Sequence, residues 1–127
     1  MGDLFLILEF VDFESLDQTD NHGNTLLHIF SWAGCKGPIE YLTNYVNLAF
    51  TVNDYGQTPL HVAKNSKILE YLLEMLKETE KVTSYDQVQR FIGQMDFKDG
   101  NTALHYWAKK GNYFGSFFLF HYRTVGP

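Results

Sequence analysis

Asp54-Tyr55-Gly56-Gln57-Thr58-Pro59-Leu60-His61-Val62-Ala63 reads as a tight turn running directly into a helix. Gly56 tolerates the positive φ that such a turn demands. Thr58 suits the cap of the first helical turn. Pro59 suits the first helical position, where a missing N–H costs nothing. Leu60 and Ala63 start an apolar face at i, i+3 spacing. The pattern occurs three times: Gly23-Asn24-Thr25-Leu26-Leu27-His28 precedes it and Gly100-Asn101-Thr102-Ala103-Leu104-His105 follows it. His28 and His61 lie 33 positions apart, and His61 and His105 lie 44 apart.

A period of about 33 residues around a Thr-Pro-Leu-His core marks a repeat architecture. On these residues the chain resembles the ankyrin-repeat family, from roughly Asp20 to His121. The middle copy carries all of Gly-x-Thr-Pro-Leu-His-x-Ala, whereas the outer two lack the Pro and the Ala. The resemblance implies an all-α solenoid of about three units with short hairpin fingers. The expected division is a partial unit or cap helix over 1–19, then repeats over 20–52, 53–96 and 97–127.

Within this frame Leu4 to Phe13 is expected to be a helix, and its run Leu4-Phe5-Leu6-Ile7-Leu8 is apolar where a solenoid end needs polar cover. Gly34 and Gly111, each six after a repeat His, fall where the inner helix turns into the outer one. In the second unit about three residues are deleted from that turn. The 44-residue spacing then leaves about 14 extra residues in an insertion near 78–96. There Ser84, Val88, Phe91 and Ile92 read as a capped amphipathic helical turn or two. Phe117, Phe118 and Phe120 make the last helix apolar nearly all round, which predicts burial.

Composition narrows the function. The 127 residues carry a net charge of −5, which opposes nucleic acid as the main partner. The apolar N-terminal run is too short for a membrane span and lacks the basic leader of a signal peptide. Cys35 is the single cysteine, so neither an internal disulfide nor a cysteine metal site can form, and a reducing compartment is expected. The expected location is intracellular, in cytoplasm or nucleus, or the host cytosol for an intracellular microbe or virus. His28, His61 and His105 share one repeat position; in the family that His braces the turn, bonding to the Thr three before it. Stacked equivalents stand about 10 Å apart, too far to share a metal. Without a phosphate loop or nucleophile elbow, no catalytic residue, cofactor or metal is assigned.

The resemblance implies recognition of another protein through finger tips and the concave inner-helix face. The finger-tip candidates are Asn21, His22 and Asn24, then Asp54, Tyr55 and Gln57, then Lys98, Asp99 and Asn101. Trp32, Lys109 and Lys110 are expected on the same side from the inner helices, with Trp32 and Tyr55 the leading anchors. For Trp32 the alternative is packing against its own outer helix. Phe30 and Trp107 occupy positions where the family has a small Ala, so the outer units are expected to stack irregularly. Narrower roles stay open: an inhibitor similar to the ankyrin proteins of the NF-κB system, or the targeting arm of a larger enzyme or secreted microbial effector. A homodimer through the apolar ends is a further expectation.

Overall fold

The computed structural model describes residues 18–42, 51–79 and 84–124. The expected helix from Leu4 to Phe13 lies outside that range, as do the side chains of Phe118 and His121. The described chain is all helical: α1 (Leu26–Ala33), α2 (Lys36–Leu42), α3 (Pro59–Val62), α4 (Ser66–Thr79), α5 (Tyr85–Ile92), α6 (Ala103–Lys109) and α7 (Tyr113–Thr124). No strand forms among the described residues.

The start of each inner helix follows from three residues. Thr25, Thr58 and Thr102 are the N-caps, in extended backbone at ψ 172°, 168° and 170°. Each forms a reciprocal capping box with the His three residues on, so orphan N–H groups at the helix start are satisfied. Ahead of each cap, Gly23, Gly56 and Gly100 turn the chain at φ 76°, 73° and 70°. Gly34, at φ 77°, stops α1 by giving its N–H to the Phe30 and Ser31 carbonyls. The second unit is shorter. α3 ends where Ala63 becomes extended, at ψ 135°, and Asn65 Oδ1 accepts from Ile68 N to start α4.

The inner helices α1, α3 and α6 pack in a row, with α4 and α7 behind them. Leu27, Leu60, Leu69, Leu72, Leu73 and Leu76 are fully buried in one continuous core. Each such side chain contributes about 1.5–3 kcal/mol relative to exposure. The inserted α5 is not a surface loop. Ser84 caps it, and Val88, Phe91 and Ile92 enter the core as it packs against both α4 and α7.

One expectation meets a correction here. The last helix is not buried all round. Gly115 and Leu119 face the core, while Tyr113, Phe114, Phe117 and Phe120 are exposed. A helix buries only the faces that meet a neighbour, and among the described residues α7 meets α4, α5 and α6. The large residues at the small position are also housed: Phe30 is buried, and Trp107 is 1% exposed. The indole Nε1–H of Trp107 donates to the Leu60 carbonyl at 3.0 Å. Gly115 leaves the space its ring fills, since a Cβ there would collide with Trp107 Cε3.

Candidate protein-binding groove

Each repeat histidine is fixed by its own finger, and His28 and His61 also bond to the next one. His28 Nδ1 faces the Thr25 N–H at 3.3 Å and the Thr25 hydroxyl at 2.9 Å. Because an N–H points at Nδ1, that nitrogen is the acceptor. Nε2 therefore carries the proton and donates to the Gln57 carbonyl at 2.8 Å. His61 repeats the arrangement on Thr58, with Nε2 3.0 Å from the Asn101 carbonyl. Burial lowers the pKa of both, partly offset by the accepting carbonyls and by Asp20 or Asp96 nearby. A proton on Nδ1 would face a donor, so the fold selects neutral imidazole.

The fingers are held by carboxamides and carboxylates at their bases. Asn53 is buried; its Oδ1 accepts the N–H groups of Tyr55 and Gln57, and its Nδ2 donates to Asn24 Oδ1 and Gln57 Oε1. Asp20 accepts in the same way from the N–H groups of His22 and Asn24, and Asp96 from those of Asp99 and Gly100. Hydrogen bonds from the Asn24 main chain and side chain hold the Asp20 carboxyl below the usual range. At Asp96 burial raises the pKa, but the N–H donors of its finger outweigh that and leave it lowered. Main-chain bonds tie neighbouring fingers: Asp54 N–H to the His22 carbonyl at 2.9 Å, and Phe97 N–H to the Tyr55 carbonyl at 2.8 Å.

This frame brackets a groove of about 670 Å³ between the finger tips and the inner helices. Of the candidate residues, His22, Asn24, Trp32, Tyr55, Gln57 and Lys110 line it. Asn21, Asp54, Lys98, Asp99, Asn101 and Lys109 do not. Ile29, Val62 and Tyr106 also line the wall and carried no motif to mark them, although all three stand one residue after a repeat His. Trp32 is 70% exposed on the α1 wall, so the alternative of packing against its own outer helix does not hold. Tyr55 shares a 3.2 Å hydrogen bond with His22 Nδ1, their rings 5.9 Å apart. Asp20 stands on the first unit and Lys110 on the third, its Nζ 5.5 Å from the Tyr106 ring centroid and 5.0 Å from that of Trp107.

Three Thr–His braces, two of them bonded to the following finger, are the repeated unit in atomic form. A family model of three ankyrin repeats matches residues 2–86, about two-thirds of the chain. The chain belongs to the ankyrin-repeat family. The match ends within α5, so the third finger lies beyond it, yet Thr102 and His105 form the same capping box there. No curated protein matches the chain. Ankyrin repeats are in general protein–protein interaction modules, and no described helix is long and apolar enough to cross a membrane.

Among the described residues no three His, Cys, Asp or Glu side chains group as metal ligands would. Cys35 is buried in the core.

Proposed function

We propose that this chain is a non-enzymatic interaction module that grips a partner protein along the groove between its fingers and inner helices. The exposed Trp32 indole is the observation that supports it. A large apolar ring that makes so little use of its own core is positioned to bury area against something else, and Trp and Tyr anchors dominate binding energy at interfaces. Ile29, Tyr55 and Tyr106 extend the apolar wall. The carboxylate of Asp20 and the ammonium of Lys110 favour a partner segment with a basic group toward the first unit and an acidic group toward the third.

The test is affinity capture with the full chain, followed by titration of the captured partner. Trp32→Ala with Tyr55→Ala should leave the circular dichroism unchanged and weaken binding by about 2 kcal/mol or more, roughly 30-fold. Wild-type affinity in the double variant rejects the groove. The partner's identity also sorts the narrower roles, since a Rel-type transcription factor dimer would assign an inhibitor and a host-cell protein an effector arm.

A further inference from the structure

Two properties of the groove wall narrow the kind of segment it can hold. The first is its period. Ile29, Val62 and Tyr106 line the groove one per unit, each one residue after a repeat His. Neighbouring inner helices pack about 8–10 Å apart, so a bound chain must bring the same face back at about that interval to meet every unit alike. A polyproline II segment does so once per turn, in three residues of about 3.1 Å each. Two turns of an α-helix, about 10.8 Å, also match, and the choice falls to the second property. Trp32, 70% exposed, and Tyr106 each offer an apolar ring face together with a hydrogen-bond donor, the indole N–H and the phenol O–H. Donors set in an apolar wall suit a ligand that brings unpaired acceptors. An α-helix spends its carbonyls on its own N–H groups, whereas a polyproline II chain has no internal hydrogen bonds and keeps every carbonyl free. A strand finds no edge to extend. No strand forms among the described residues, and the finger N–H groups of Asp54 and Phe97 are already given to the His22 and Tyr55 carbonyls.

We infer that the groove takes a proline-rich segment in the polyproline II form, with prolines three residues apart against successive units, a basic residue toward Asp20 and an acidic one toward Lys110. This ligand class rests on the groove being the binding surface and adds what that surface selects. Asp20 and Lys110 belong to the first and third units, roughly 20 Å apart at that spacing, which such a segment crosses in about six or seven residues. Opposite charges at the two ends set which way the segment lies. A pre-formed extended helix has little conformational freedom left to lose, so a few aromatic anchors suffice to hold it.

The test uses the full chain and a dye-labelled peptide with blocked ends, Arg-Pro-Ala-Leu-Pro-Ala-Leu-Pro-Glu, read by fluorescence anisotropy. The peptide should bind saturably, and replacing its prolines by alanine should weaken binding roughly tenfold or more. Exchanging its Arg and Glu should weaken it roughly threefold or more. Trp32→Ala should weaken it roughly 30-fold. Trp32→Phe keeps the ring face and removes the donor, so it should lose about threefold to tenfold. Both variants should stay folded by circular dichroism. Equal affinity for the alanine peptide overturns the inference. So does tighter binding of an amphipathic helical peptide of the same length and end charges, or no binding of the proline peptide up to about 1 mM. Should a captured partner still depend on Trp32 and Tyr55 in those cases, the groove stands as the binding surface and only the ligand class falls.

Discussion

Gly115 lies beneath the Trp107 ring, at a distance where a single added methyl carbon would collide with Cε3. The absence of a side chain on α7 is what lets α6 carry an indole where the repeat normally has a methyl. In an ordinary helix interior Gly→Ala adds about 1 kcal/mol of stability. Here the sign should reverse. Gly115→Ala is expected to destabilise by about 1–3 kcal/mol through overpacking. In a Trp107→Leu background the same change should be neutral or favourable. A urea-denaturation double-mutant cycle with no coupling between the two positions would contradict this packing.

Gly56 and Gly100 share a backbone conformation, at φ 73° and 70°, but not surroundings. Alanine at either incurs the left-handed strain of about 1–2 kcal/mol. At Gly56 the new Cβ would also sit 2.7 Å from Phe97 Cδ1, so that variant must displace the neighbouring finger's ring. Gly56→Ala should therefore be the more destabilising of the pair, by about 1 kcal/mol, the low end for overpacking. Equal losses in chemical denaturation would mean that the contact between fingers carries no weight.

The buried Ser31 hydroxyl has no hydrogen-bond partner among the described residues, although its carbonyl accepts from the N–H groups of Gly34 and Lys64. A buried polar atom left unmatched costs about 1–3 kcal/mol. Ser31→Ala removes the atom and leaves the carbonyl in place, so stability should be unchanged or rise by about 1 kcal/mol. A clear loss in the thermal midpoint would instead reveal a partner for the hydroxyl.

Stability should fall as the solution is acidified, in two stages. His28 and His61 have lowered pKa values in the fold, because burial disfavours the charged ring. The unfolded chain therefore takes up protons first. The stabilisation is intact above the unfolded histidine value of about 6.5 and is lost as pH falls from there toward the folded values. Asp20 and Asp96 are also lowered, so their contribution is intact above the unfolded carboxyl value near 3.9 and lost below it. Urea midpoints measured from about pH 8 to pH 3 should decline through both windows. A midpoint that stays level between about pH 7.5 and pH 5 would remove the histidine account.

What the chain disclosed before its coordinates depended on how far apart the interacting residues are. The Thr58–His61 brace spans three positions and was legible at once, as were the Ser84 cap and the Val88, Phe91, Ile92 face of the inserted helix. The Asn53–Asn24 bond joins positions 29 apart, so nothing local showed that the Asn24 and Gln57 side chains are engaged in holding fingers together. Trp107 read as an obstacle to stacking because its accommodation depends on Gly115, across a turn and on another helix. The groove was legible only in part. Trp32 and Tyr55 could be placed by repeat position; Ile29, Val62 and Tyr106 share one too, the residue after the repeat His, but nothing in the motif shows that this position faces the groove.

The four residues of α3 make barely one turn, too few to hold a helix together unaided. Its order must be borrowed from α1, α4 and α6, which surround it. The inner helix of the middle unit is then the part that cannot assemble on its own. Loss of either outer neighbour should carry the middle away with it, so the array should come apart as one body instead of peeling from an end.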